Sequence, residues 1–165
     1  LWFLDGELNG MAKMFDNGRL TTEVTYVKGK QHGPFRSYNG LKEKTVQSFY
    51  KDGELHGDCV WYSNGEKKLR TCRYESGKLH GENIVYYASG KILERSTYEN
   101  NLLEGECFEY YENGALRKKT FYRNNVQIQP PAHYDIDGNR VEYAENGKRK
   151  RNRLGEIVDF LSGED

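Results

Sequence analysis

Proline, cysteine and long apolar runs are all scarce in this chain. Its 165 residues include 3 Pro and 3 Cys against 18 Gly, so we expect many turns and few stiff linkers. Three cysteines are an odd number without the spacing of a disulfide framework, which favours free thiols in a reducing, cytoplasmic compartment. No apolar run approaches the ~18 residues needed to span a membrane, and no charged-then-apolar leader opens the sequence.

Net charge is also absent, because 25 Lys and Arg balance 25 Asp and Glu. The field of the whole molecule therefore gives no reason to expect steering towards nucleic acid or membrane. Hydrophobic residues make up 36% of the chain and charged residues 30%, which predicts a thin molecule without a deep core. Much of the apolar surface must come from 13 Tyr, 7 Phe and 2 Trp.

A repeat with a period of about 24 residues runs through most of the chain. Each unit begins with an aromatic residue and closes with a glycine seven residues later, as in Tyr74 to Gly81. Self-similarity at this period is typical of units that stack only on their neighbours. The repeat-defining positions are Phe3, Tyr26, Tyr50, Tyr74, Tyr98 and Tyr122 for the aromatic residue, and Gly10, Gly33, Gly57, Gly81 and Gly105 for the glycine.

A second turn signal lies half a period after each of these motifs. It is an Asn-Gly or Ser-Gly pair that follows an aromatic residue, as in Asn64-Gly65 after Tyr62. Asn-Gly between aromatic-rich runs predicts a tight hairpin turn in which both residues have positive φ. The pair slides by one or two residues between repeats, which predicts a bulge of variable position near the tip and a base in constant register. Each period is therefore one hairpin.

The pattern predicts an all-β fold: an elongated, single-layer antiparallel sheet of stacked β-hairpins. About five repeats of 24 residues occupy residues 1–125. Residues 126–147, which begin near Pro130-Pro131 and contain Gly138, are interpreted as a degenerate capping hairpin. Residues 148–165 form a basic tail and a short amphipathic segment, 154–161.

The unit aromatic-x-x-Gly-x-Leu-x-Gly, followed by aromatic-x-Asn-Gly, resembles the MORN repeat. The resemblance is greatest to the variant found in bacterial and viral proteins described as antitoxin-like, and it covers Leu1 to about Asn125. It implies a scaffold or adaptor used for protein contact, dimer formation and, in some members, anionic lipid binding. The motif residues are structural, so no catalytic residue is carried over. The sequence departs from the pattern at Gln31, Asn101, Asn125, Gln127 and throughout 126–165.

Neither metal nor nucleophilic chemistry is expected from the sequence, and no cofactor is predicted. His32, His56 and His80 recur at one position of the repeat, where neighbouring units should stand ~10 Å apart, too far to share an ion. Cys59 and Cys72 lie on the two arms of one hairpin and are expected to face each other as small buried thiols.

Aromatic residues provide the candidate for partner binding. Phe15, Tyr38, Tyr62, Tyr87 and Tyr111 are interpreted as the stripe that holds the repeats together. The residues just before three of them should point to the opposite face and form a second aromatic strip: Trp61, Tyr86 and Tyr110. This strip is either a partner-binding or self-association face, or it is covered by the 154–161 segment or the cap.

A cluster of cations in the tail is the candidate for an anionic ligand. It could bind anionic lipid, nucleic acid or an acidic partner, or it could serve only solubility. Its members are Lys148, Arg149, Lys150, Arg151 and Arg153.

The sequence as a whole favours a non-enzymatic repeat scaffold that binds a protein partner through one face of the sheet. Two alternatives stay open: an antitoxin-like neutraliser of a cognate toxin, and a structural component of a viral or cytoskeletal assembly. A small-molecule substrate is not expected, and lipid binding ranks behind the protein-binding classes.

Overall fold

The computed structural model describes residues 2–142, with side chains from residue 3 onward, and within this range the regular elements are strands without a helix. In chain order they are β1 (Trp2–Leu4), β2 (Glu7–Asp16), β3 (Arg19–Val27), β4 (Lys30–Tyr38), β5 (Lys44–Lys51), β6 (Glu54–Leu55), β7 (Gly57–Tyr62), β8 (Lys68–Glu75), β9 (Lys78–Tyr86), β10 (Ile92–Glu99), β11 (Leu102–Leu103), β12 (Gly105–Tyr110), β13 (Leu116–Arg123), β14 (Val126–Gln127), β15 (Ala132–Tyr134) and β16 (Arg140–Val141).

All of these strands belong to one antiparallel sheet. Its order follows the chain as β1-β2-β3-β4-β5-β7-β8-β9-β10-β12-β13-β15-β16, and the short strands β6, β11 and β14 pair with β5, β10 and β13. Neighbours in the sequence are therefore neighbours in the sheet. The predicted all-β, single-layer antiparallel sheet of stacked hairpins is confirmed.

Each repeat motif contains a tight, two-residue turn. Both central residues have positive φ, as at Asp52 (54°) and Gly53 (94°), which is the conformation of a two-residue hairpin turn. The N–H of the second turn residue donates to a carbonyl one repeat earlier, for example Asn101 to Leu79 at 2.9 Å. The other turns of this class are Asp5-Gly6, Lys28-Gly29, Ser76-Gly77, Asn100-Asn101 and Asn124-Asn125.

The Asn-Gly turns are mostly longer than the sequence predicted. In the second to fifth hairpins and their successor the loop spans five residues, as in Tyr87 to Lys91, where Tyr87 N–H donates to Lys91 C=O at 2.8 Å. Only in the first hairpin do both residues, Asn17 and Gly18, have positive φ. The first loop is one residue shorter, which is why that period is 23 residues instead of 24. Left-handed residues in the later loops recur every 24 positions, at Lys42, Glu66, Gly90, Gly114 and Gly138.

A bulge near each tip lies at a constant position, so the predicted variable bulge is wrong. In β8, for instance, Leu69 is the extra residue between the pairs Trp61–Arg70 and Tyr62–Lys68. The Asn-Gly dipeptide shifts its position within the loop, whereas equivalent backbone positions recur every 24 residues. We call this spacing the 24-residue lattice. The base is in constant register, as predicted, with the closing glycine of each repeat opposite the next motif aromatic.

Gly33 illustrates why the closing position is glycine. Its φ is 108°, and a Cβ built there would approach Thr25 Cβ to 3.3 Å. The residue lies where the pairing between β3 and β4 shifts register between Val24 and Tyr26. A larger side chain would therefore face both backbone strain and a close contact.

A column of buried residues crosses the sheet. Its members are less than a tenth exposed although the sheet has one layer, because motif tyrosines of the same face lie beside them. Burial raises the pKa of Tyr50, Tyr74 and Tyr98, consistent with this covering role. The column consists of Val24, Ser48, Cys72, Ser96 and Thr120, one every 24 residues.

The end of the array keeps the same lattice. After Pro130-Pro131, β15 pairs with β13, and β16 pairs with β15. The remainder of the predicted cap, the basic cluster 148–153 and the segment 154–161 lie outside the described residues.

Asn101 has two separate roles in its tight turn. Its φ is 71°, and its side-chain oxygen accepts the N–H of Leu79 at 2.7 Å. We expect Asn101→Ala to lower the free energy of unfolding by about 1–3 kcal/mol, because it loses the bond and strains the turn. Asn101→Gly should cost less, because glycine accepts the φ. Urea denaturation followed by circular dichroism checks this, and equal losses for the two variants would contradict it.

Candidate protein-interaction faces

The two faces of the sheet carry different residues. We call the motif face the one that holds the motif tyrosines, together with Cys59, Cys72 and Trp61. The opposite face holds the residues that alternate with them. Pairing fixes the assignment, because directly opposed residues of antiparallel strands point to the same side, as Cys59 and Cys72 do.

The predicted aromatic strip of Trp61, Tyr86 and Tyr110 does not lie on one face. Trp61 pairs with Arg70 before the tip bulge, whereas Tyr86 and Tyr110 pair with Ile92 and Leu116 beyond it. The lattice equivalents of Tyr86 and Tyr110 are therefore Tyr62 and Tyr38, not Trp61. The reason is the sliding Asn-Gly pair, since counting from it misplaces later repeats by one residue and reverses the face.

Trp61 belongs instead to a hydrogen-bonded cluster on the motif face. The Arg70 guanidinium lies 5.1 Å from the centre of the Trp61 ring, and Arg70 Nε donates to Asn83 Oδ1. Asn83 Nδ2 donates to Ser96 Oγ at 2.9 Å, and Ser96 Oγ donates to Glu94 at 3.2 Å. Asn83 and Ser96 are 2% and 1% exposed, so this chain of bonds satisfies polar groups that would otherwise be buried at a cost.

The opposite face carries an apolar patch in its middle repeats. Val60, Ile84 and Phe108 form one row at 24-residue spacing, and a tip tyrosine follows each of them two residues later. All six side chains are half-buried. Phe108 stacks on Tyr110 with ring centres 6.4 Å apart. We call these residues the apolar patch: Val60, Tyr62, Ile84, Tyr86, Phe108 and Tyr110.

The patch tyrosines are held by contacts to their own face. The Tyr86 hydroxyl is 3.2 Å from Thr71 Oγ1, and Lys44 Nζ lies 4.9 Å from the centre of the Tyr62 ring. In the equivalent position one repeat earlier, the Tyr38 hydroxyl donates to Glu23 at 2.8 Å. These contacts restrain the rings, which reduces the entropy that ordering them at an interface would cost.

Ion pairs line the side of the patch away from the tips. Each of the three repeats contributes one pair between neighbouring strands, and all are exposed or partly exposed. They are Asp58–Arg73 at 3.0 Å, Glu82–Arg95, and Glu106–Lys119 at 2.7 Å. Such exposed pairs contribute little to stability, and they give the patch a polar margin.

The sequence analysis also considered the recurring histidines as metal ligands and Cys59 and Cys72 as a facing pair. His32 Nδ1 lies 3.3 Å from Asp52, and His80 Nε2 lies 3.8 Å from Glu75. Across residues 2–142 we find no group of three or more His, Cys, Asp or Glu side chains that could hold a metal ion. In the same range no helix is long and apolar enough to cross a membrane. The prediction that Cys59 and Cys72 face each other is confirmed, and both are buried.

Two groups of residues escaped the sequence analysis. One is the bonded set from Arg70 to Glu94, and the other is the row Val60, Ile84 and Phe108. Both lie on the 24-residue lattice, so counting from the motif tyrosines, which keep their register, would have found them. Counting from the Asn-Gly pairs does not.

Comparison with known proteins identifies the repeat. A family model described as MORN repeat variant matches residues 79–100 and again 103–124. Residues 79–100 and 103–124 are therefore two MORN-variant repeats. The two matched units cover β9 to β13, and the same turn and bulge geometry extends through the earlier repeats. A comparison with curated protein sequences gives no match.

Two solved structures have a distant likeness to this chain. One is a mutant of S. aureus TarM in complex with fondaparinux, alpha-GlcNAc-glycerol and UDP, with TM-score 0.40 and 14% identity over 59% of this chain and 19% of that one. Another is the GtfA/B complex bound to UDP and GlcNAc, with TM-score 0.30 and 12% identity over 66% of this chain and 22% of that one. This chain therefore spans about a fifth of the length of either structure, and these scores support no functional argument.

The stability of the protein in acid tests the contacts that Glu109 makes on the motif face. Burial opposes ionisation of Glu109, but hydrogen bonds from Arg117 and Lys118 outweigh it and hold the pKa of this carboxyl below its usual value. The folded-state pKa is thus the lower one, so the contribution to stability is complete above the unfolded value of ~4.3 and is lost as pH falls through the folded value.

We therefore expect Glu109→Gln to lower the melting temperature at neutral pH and to have little effect at a pH low enough to protonate the carboxyl in both states. Thermal melts at several pH values measure this. Glu106→Gln, which removes the partner of Lys119 at a more exposed site, is the charge-matched control. A Glu109→Gln effect that is the same at all pH values would contradict the assignment.

Proposed function

We propose that this protein is a non-enzymatic repeat scaffold that binds a protein partner through the opposite face of its sheet. The observation that carries the proposal is the apolar patch with its margin of ion pairs. Protein interfaces commonly combine an apolar, aromatic-rich centre with a polar rim. Tyrosine is among the residues that contribute most to binding energy at such centres.

The single-layer architecture supports this role. Within residues 2–142 the strands form one sheet, and no second layer packs over the patch. A contiguous apolar surface of this kind is typical of a contact site. The ion pairs, which alternate in sign from strand to strand, would select a partner of complementary charge pattern.

Trp61 has no part in the proposed interface, in contrast to the sequence-based candidate set. It packs beside Cys59, Cys72 and Leu79 on the motif face, where its role is structural. The proposed interface keeps Tyr86 and Tyr110 from that candidate set and includes Tyr62 in place of Trp61. The cytoplasmic location and the basic tail, 148–153, remain proposals from the sequence.

The test begins with identification of the partner. The protein is recovered from its native source, and proteins that co-purify in constant ratio are identified by mass spectrometry. Affinity of the purified pair is then measured by calorimetry. We expect the triple variant Tyr62→Ser, Tyr86→Ser, Tyr110→Ser to weaken binding at least tenfold, because each loses a large apolar contact worth on the order of 1 kcal/mol or more.

The matched control removes three apolar side chains elsewhere. Phe15, Val126 and Ile128 are 61%, 63% and 51% exposed, and their replacement by Ser should leave affinity unchanged. Unchanged affinity of the patch variant would refute the proposed face, provided circular dichroism shows that it folds.

The identity of the partner distinguishes the alternative functions. A one-to-one partner whose toxicity is blocked would identify a neutraliser, and a multi-subunit partner would identify an assembly component. Salt-sensitive binding to acidic vesicles alone would refute the protein-partner proposal.

A further inference from the structure

Cys59 and Cys72 form the one directly opposed pair of cysteines in the described sheet. They lie on β7 and β8, pair across the hairpin, and are free thiols. Their exposed fractions are 2% and 4%. Directly opposed residues of antiparallel strands have Cα atoms about 4.5–5.5 Å apart, which lies inside the 4.4–6.8 Å range of disulfides. A bond between these sulfurs therefore requires no large backbone movement.

The surroundings favour a reactive thiolate on one member of the pair. A hydrogen bond from Cys59 lowers the pKa of Cys72 against the opposing effect of burial, and the nearby Arg70 guanidinium lowers it further. The pKa of Cys59 is raised, first by the same hydrogen bond and then by burial. Cys72 is therefore the group that loses its proton first.

We propose that Cys59 and Cys72 are a reversible redox site, oxidised to a cross-strand disulfide by a low-molecular-weight disulfide such as oxidised glutathione. The Cys72 thiolate attacks one sulfur of the small disulfide, breaks its S–S bond and releases one thiolate. Cys59 gives its proton to solvent and attacks the Cys72 sulfur of the mixed disulfide, which releases the second thiolate. The protein loses two electrons and two protons, and the small disulfide becomes two thiols.

Access to the pair is controlled by its cover. Val46, Trp61, Tyr74 and Tyr98 pack against the cluster formed by the two cysteines and Leu79. A small disulfide reaches Cys72 only when this cover opens locally, so oxidation is slow relative to that of an exposed thiol. Trp61→Ala should increase the rate of oxidation because it removes the largest covering side chain.

Cys107 is an internal control. It occupies the position of Cys59 two repeats later, but its opposed residue is Thr120. Burial raises the pKa of Cys107 to about 11. It is half-buried, whereas Cys59 is buried, and it has no second thiol opposite it, so the same oxidant should leave it reduced.

The site lies behind the apolar patch. Val60 and Tyr62 of the patch belong to the strand that carries Cys59, and a disulfide would staple this strand to β8. The redox state would thus set the rigidity of the repeat at one end of the patch. The disulfide itself does not depend on the proposed function, since its formation is measured without any partner.

The experiment equilibrates the full chain in glutathione buffers of increasing oxidising strength, quenches in acid and alkylates the remaining thiols under denaturing conditions. Intact mass should shift from three alkyl groups to one, and peptide mapping should place the bond between Cys59 and Cys72. Dithiothreitol should restore three. The oxidised form should also melt at a higher temperature, because the bond restrains the unfolded chain.

Two variants keep the result interpretable. Cys107→Ser should retain the two-thiol loss, whereas Cys59→Ser should abolish it while remaining folded by circular dichroism. Three alkylated cysteines at every buffer composition, with the cover variant Trp61→Ala included, would overturn the proposal. So would a loss of thiols confined to a glutathione adduct on Cys107.

Discussion

The constraint on which the structure depends is the hydrogen bond between successive tight turns. In each repeat the N–H of the second turn residue donates to a carbonyl one unit earlier, as from Gly77 to Leu55 at 2.8 Å. The turn that places this N–H has positive φ at both residues, and Gly or Asn occupies its second position. It fixes the distance between repeats at one edge of the sheet, and the 24-residue lattice follows from it.

The lattice explains how a thin sheet with few apolar residues remains ordered. Each repeat buries a small residue in the central column and covers it with a motif tyrosine, so stability comes from many equal contacts between neighbours. At Ser96 of this column and at its cross-strand neighbour Asn83, hydrogen bonds with Glu94 and Arg70 satisfy the buried polar groups. The same arrangement leaves the opposite face with an apolar patch that the described sheet does not cover.

The fold was predictable from the sequence because glycine and tyrosine spacing reports backbone geometry directly. The closing glycines and motif tyrosines define the base of each hairpin, where register is constant. The tips were harder to predict, because Asn-Gly signals a turn without fixing its length. Asn39-Gly40 and Asn64-Gly65 lie inside five-residue loops whose left-handed residues are Lys42 and Glu66. That one-residue uncertainty does not change the fold, but it placed Trp61 on the wrong face.

The central claim is that the 24-residue lattice places Tyr86 on one face of the sheet and Trp61 on the other. Nuclear Overhauser contacts between assigned side chains measure this most directly. The account predicts contacts of the Tyr86 ring with the Thr71 side chain, whose hydroxyl lies 3.2 Å from the Tyr86 hydroxyl, and of the Trp61 ring with Arg70. Contacts between the rings of Trp61 and Tyr86 would contradict it.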